Sequence, residues 1–157
     1  MQFLKILCFL STLGLLVKCT KGEYAEKEFP EIGWPYTQPL IFEYNNVDTS
    51  VWRSLFISLS IKPDAYPYRN IYFHITIQTP SKKEVTEVKE FLLADELGNW
   101  FTEPDWRGIC EFSSPIMVKT KFLEKGLYTF KLAQYMRDDT LKGVKKVSLV
   151  LDSSREK

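Results

Sequence analysis

A single histidine, His74, occurs in the 157 residues, so any imidazole chemistry has to pass through it. A Ser-His-Asp or Cys-His arrangement needs that ring beside a nucleophile. Yet His74 lies in mid-strand over 71–77, on the face opposite Ile71, Phe73, Ile75 and Ile77. Alternation of that kind is a packing pattern, and it makes His74 a solvent-facing or cross-strand residue. A zinc site needs several histidine or cysteine ligands at short spacing. The cysteines are Cys8, Cys19 and Cys110, too few and too scattered for one. With Cys8 in an apolar leader and Cys19 acylated, Cys110 is left alone, so no disulfide framework is expected and Cys110 should be buried. The glycines are isolated, and no loop of them can cradle a phosphate.

Carboxylates offer another chemistry. Asp95, Glu96, Glu103 and Asp105 fall within the stretch ADELGNWFTEPDW. Two acids about 5–10 Å apart with separated pKa values would suit a glycosidase, with Asp95 or Glu103 paired with Asp105. Hard oxygens could also hold calcium. Loops collect the same residue types for turn chemistry alone, which is the plainer reading. Aromatics are the more informative excess. Trp34, Tyr36, Trp52, Tyr66, Tyr68, Trp100, Phe101 and Trp106 all sit in or beside expected loops. Such rings stack on sugars, anchor protein interfaces or cap a core. Trp100, Trp106, Tyr66 and Tyr68 are therefore the candidate partner or ligand surface. No catalytic residue, metal ligand or cofactor is assigned.

The elements that position these residues begin after a leader. Lys5 is the one charge in the first five residues, and 6–17 then runs uncharged and apolar. At about 1.5 Å per residue that run is too short for a hydrocarbon core of about 30 Å, but right for a signal peptide. Cys19 follows at once. An apolar run ending at a cysteine is how bacterial lipoprotein precursors are built; the thiol is acylated and the chain is cut before it. Lys18 stands where a small residue is usual. The expected organisation is a signal peptide over 1–18, a lipid-attached tether over 19–33 and one domain over 34–157. Losing 1–18 removes Lys5 and Lys18 from the 21 basic residues, against 20 acidic ones, so the remainder is near neutral. Nothing in that balance suggests a nucleic-acid partner.

Period-two alternation dominates the domain. Leu55, Ile57, Leu59 and Ile61 share one face of a strand, and Ile71, Phe73, Ile75 and Ile77 share one face of the next. The proline-rich 62–67 between them suits antiparallel neighbours in one sheet. Further strands are expected over 37–44, 85–93, 115–122 and 127–134. A short turn or helical piece follows near 136–141. Val147, Leu149 and Leu151 form the inward face of a last strand. The fold class is all-β, an antiparallel β-sandwich of jelly-roll or immunoglobulin-like type with about seven or eight strands.

Several stretches resemble the gliding-motility-associated lipoprotein GldH family of Bacteroidetes. Cys19, Tyr24 and Trp34 come first, then Tyr66-Pro67-Tyr68-Arg69-Asn70-Ile71-Tyr72. Leu93, Asp95, Gly98 and Trp100 follow at the family's spacing, as do Gly126, Tyr128 and Phe130. Gln134-Tyr135-Met136-Arg137-Asp138 with Leu141 and Gly143 completes the series. Phe101-Thr102-Glu103-Pro104 departs from the family's glycine-rich continuation. The resemblance implies a lipoprotein of the motility machinery linked to type IX secretion. It implies a lipid anchor in the cell envelope, with the outer membrane as expected location, and other envelope or gliding-machinery proteins as partners. It carries over no catalytic residue. The rival class is a surface carbohydrate-binding module in which Trp100 and Trp106 stack on sugar. Mass spectrometry of the mature N-terminus tests the anchor: an acylated Cys19 is expected, and an intact Met1 would remove it.

Overall fold

A computed structural model describes residues 23–154; the expected signal peptide, Lys18 and Cys19 lie outside the described residues. Ten strands are present among those residues. They are β1 (Glu23–Glu28), β2 (Trp34–Pro35), β3 (Leu40–Asn46), β4 (Trp52–Ile61), β5 (Asn70–Gln78), β6 (Glu84–Leu92), β7 (Cys110–Lys121), β8 (Gly126–Gln134), β9 (Thr140–Leu141) and β10 (Val144–Ser154). Two four-stranded antiparallel sheets, ordered β1-β10-β4-β7 and β3-β8-β5-β6, stack as a sandwich, and β2 pairs with β9. The fold class is the expected one. The count exceeds seven or eight because β2 and β9 have only two residues each.

The alternation has the expected physical cause. Leu55, Ile57, Leu59 and Ile61 of β4 and Val147, Leu149 and Leu151 of β10 are buried. Facing them are Ile71, Phe73 and Ile75 of β5, Tyr128, Phe130 and Leu132 of β8, and Leu40 and Phe42 of β3. Each such side chain contributes about 1.5–3 kcal/mol by leaving water. Phe42 stacks on Phe130 at 5.7 Å, and Phe122 closes on Tyr128 at 4.7 Å. Cys110 is buried and unpaired, its thiol donating to the Thr102 carbonyl.

Two expectations need correction. The strands around 55–61 and 71–77 are not neighbours in one sheet; β4 and β5 lie in opposite sheets. A 3-10 turn at Pro63–Ala65 carries the chain across. Alternation tells which face of a strand is buried, not which sheet holds it, and both apolar faces point into the same core. The tether over 19–33 is also too long. Glu23–Glu28 is already a strand, paired along its whole length from Glu23 opposite Leu151 to Glu28 opposite Lys146. Its sequence EYAEKE hides this, because an edge strand can be charged and still pair through its backbone. Phe29 follows, buried and stacked on the fully buried Trp34 at 5.1 Å. The indole nitrogen of Trp34 donates to the Gln38 carbonyl.

The connections sort to two ends. Segments 47–51, 79–83 and 122–125 meet at one end, beside the start of β1. There the buried Asn46 donates to the Phe122 and Glu124 carbonyls, and the Ser81 amide and hydroxyl donate to the Glu124 carboxylate. Segments 29–39, 62–69, 93–109 and 135–143 meet at the other. Gly143, at φ +79°, lies so close to the 62–69 crossing that a Cβ would stand 2.7 Å from the Tyr66 amide nitrogen. Gly98, at φ +86°, faces open space. Gly98→Ala should therefore cost only the left-handed penalty of about 1–2 kcal/mol. Gly143→Ala should cost clearly more, because backbone cannot yield as a flexible side chain does. Urea titration followed by tryptophan fluorescence compares them; equal losses would mean the crossing is not held there.

Candidate functional site

The outer face of the second sheet carries a groove of about 450 Å3 near the loop-rich end. Tyr68, Asn70, Tyr72, Val88, Tyr135 and Met136 line it with Arg137. β5 supplies Asn70 and Tyr72 from the face that alternation leaves outside the core, and β6 supplies Val88. Tyr68 comes from the segment entering β5, and Tyr135, Met136 and Arg137 from the chain leaving β8. That segment is held by backbone: the Tyr135 amide donates to the Tyr72 carbonyl at 2.8 Å. The buried Gln134 braces it further, its amide nitrogen donating to the Asp138 carbonyl and its oxygen accepting from the Met136 amide. The Tyr72 amide points at the Met136 sulfur, 3.2 Å away.

Two of the phenols have carboxylate neighbours. Tyr68 hydrogen-bonds to the Asp138 carboxylate, and that bond, with partial desolvation, raises its pKa. Tyr72 hydrogen-bonds to Glu90 with the same result. Tyr135 is exposed and stacks on His74 at 5.6 Å. His74 is thus a half-buried cross-strand residue on the outer face, as its alternation suggests. The arrangement presents three rings, a polarisable thioether and a guanidinium to whatever enters. Its chemistry is that of binding: tyrosines lose little conformational freedom, methionine adapts its shape, and arginine meets carboxylates or carbonyl oxygens.

The four aromatics expected to form a surface separate. Tyr68 lines the groove. Tyr66 does not belong to any surface, which corrects its assignment: it is 5 % exposed, its hydroxyl donating to the Asn70 carbonyl at 2.7 Å. Burial drives its pKa up, with smaller contributions from Tyr68 and Asp138. Trp100 is half-buried, tilted against Phe112 at 6.0 Å and edge-on to Tyr66 at 6.2 Å, so it caps the core. Trp106 is 92 % exposed with Arg107 over its ring. The two tryptophans thus have different surroundings, one packed inward and one in solvent.

The acids organise their own loops. Asp95 accepts from the Asn99 side chain and from the Asn99 and Leu97 amides, which holds its pKa below the usual carboxylate range. At Asp105 desolvation pushes upward, but the Arg107 side chain and the Ile109 and Arg107 amides outweigh it, and the pKa is again lowered. A glycosidase acid needs a raised pKa, so neither carboxylate is suited to donate a proton. Tyr72, Val88, Tyr135, Met136 and Arg137 were missed by sequence reasoning as site residues. The signal was there in Tyr72, a large ring on the polar face of an alternating strand.

A profile of the GldH lipoprotein family matches residues 23–151. The chain belongs to that family. The match begins at Glu23 and ends at Leu151, two residues that face each other across β1 and β10, so the GldH lipoprotein profile coincides with the folded sandwich. A relative in Christiangramia forsetii, described as a gliding motility lipoprotein GldH homolog, is 24 % identical over 132 residues. That alignment covers 84 % of this chain and 80 % of the relative. Among solved structures, a 4-O-methyl-alpha-glucuronidase gives a TM-score of 0.35 at 13 % identity, over 84 % of this chain. An arabinose-bound α-L-arabinofuranosidase gives 0.32 at 7 % identity, over 74 % of this chain. The chain spans only 14 % and 17 % of those two proteins, and the resemblance is too slight to argue from.

Tyr66 gives the fold beneath the groove a pH signature. A pKa raised by folding stabilises the protein fully below the unfolded value of about 10, and that stability is lost as pH climbs toward the higher folded value. Tyr66→Phe should lower stability at neutral pH by about 1 kcal/mol, through the lost hydrogen bond. It should also flatten the decline above about pH 10 relative to the unsubstituted chain. Urea midpoints across that range measure both, and an unchanged alkaline slope would contradict the assignment.

Proposed function

We propose that the chain is an exported lipoprotein, acylated at Cys19 and anchored in the cell envelope, in the outer membrane. It acts as a non-enzymatic structural or assembly component of the gliding-motility machinery associated with type IX secretion. The observation that carries the binding role is the tyrosine groove. Tyr68, Tyr72, Tyr135 and Met136 are brought together from segments over sixty residues apart, and two of the phenols are tied to carboxylates before any ligand arrives. Such preorganisation reduces the entropy lost on binding. Tyrosine and arginine are also the residues that dominate protein interfaces. Family membership supports the motility assignment, and a relative bears that description.

A carbohydrate ligand is the second reading, moved from Trp100 and Trp106 to the groove, because the exposed Tyr135 and the half-buried Tyr68 and Tyr72 beside Asn70 also suit a sugar ring. Both readings meet one experiment. A gliding host lacking the protein is complemented with the unsubstituted chain or with Tyr135→Ala plus Arg137→Ala. Equal membrane levels of the two are checked first. Recovery of co-purifying envelope proteins should fall about tenfold or more, equivalent to ~1.4 kcal/mol, and surface spreading should fall with it. Normal spreading with normal partner recovery would overturn the proposal. Loss of polysaccharide affinity with partner recovery intact would favour the sugar.

A further inference from the structure

The start of β1 fixes where the lipid attaches to the sandwich. Glu23 follows Cys19 by four residues. At about 3.6 Å per residue, the acylated residue can lie no farther than about 14 Å from the first residue of β1. Register shows what projects beyond that point. Glu23 faces Leu151, but β10 and β4 run three residues farther, to Ser154 opposite Trp52. At about 3.3 Å per residue that is ~10 Å, most of the available reach. The loops 47–51 and 122–125 extend past it. Their exposed residues suit an interface between water and lipid: Leu123 is 82 % and Val47 68 % exposed. Lys125, Lys82 and Lys83 are exposed at the same end. Trp52 lies there under the Lys121 ammonium at 4.5 Å. Of the acids at this end, Glu124 accepts from Ser81, Glu84 from Gln78 and Asp48 from Ser50, while Glu23 and Asp152 are exposed, so the lysines do not make the end strongly basic and its exposed apolar side chains carry the argument.

We infer that this end of the sandwich rests on the bilayer surface that holds the Cys19 lipid, with Leu123 and Val47 entering the headgroup layer. The occupant is the membrane itself, because four residues leave no room for another protein between domain and lipid. The inference rests on acylation of Cys19. It turns the opposite end, with the tyrosine groove, away from the membrane. Side chains such as leucine and valine gain by leaving water, and lysines tolerate the interface by extending to phosphates.

The test uses the mature, acylated chain in vesicles of phosphatidylethanolamine and phosphatidylglycerol. A polarity-sensitive dye is attached at Leu123→Cys, at Val47→Cys or, as the far-end control, at Trp106→Cys. Lipids with nitroxide headgroups serve as quencher. Strong quenching and a blue shift are expected at 123 and 47, with quenching at 106 at least severalfold weaker. Equal quenching at all three positions, or stronger quenching at 106, would overturn the orientation while leaving the anchor intact. A chain found without acyl mass at Cys19, and failing to float with the vesicles, would overturn the anchor and this inference with it.

Discussion

Each of the two sheets has one apolar face, and neither face is stable in water. That constraint shapes everything else. Leu55, Ile57 and Leu59 on one side and Ile71, Phe73 and Phe130 on the other must meet, and the strands can only deliver them by stacking. Once they meet, the outward faces are released for other uses. The groove exists because β5 alternates: Phe73 goes to the core, while Tyr72 and His74 on either side of it go outward. The same residues therefore build the fold and display the site.

Buried polar groups do the joining that apolar packing cannot. Apolar contact is non-directional and holds sheets together without fixing loops. Asn46 and Gln134 are buried near opposite ends, and each bonds to the backbone of a neighbouring turn. Breaking such bonds leaves a buried polar group unmatched, so the loop geometry is held more sharply than by contact alone. At the groove, Gln134 holds the backbone from which Tyr135, Met136 and Arg137 project.

How far the sequence could be read follows from the range of each signal. Period two is local: it grouped Ile71, Phe73 and Ile75 on one face and placed Val147, Leu149 and Leu151 on an inward one, and the structure buries all six. It could not say that β4 and β5 part company, because sheet membership depends on residues far away in the chain. It also could not find β1, whose stability lies in backbone pairing with β10 and leaves no apolar pattern in EYAEKE. The site divides in the same way. Tyr68 was legible from its place beside prolines, and Tyr66 looked alike but turned inward. Tyr135 and Tyr72 are 63 residues apart and meet only through the fold.

The pairing of β1 with β10 also has a mechanical side. If the lipid is held by the membrane while a partner pulls on the groove, tension enters the domain along the axis of β1. The six registered pairs from Glu23–Leu151 to Glu28–Lys146 lie side by side across that line. They are loaded in shear and share the force together, whereas a strand peeled from its end would lose its bonds one after another. A charged edge strand that contributes little to the core is thereby placed where it resists being drawn out of the sheet.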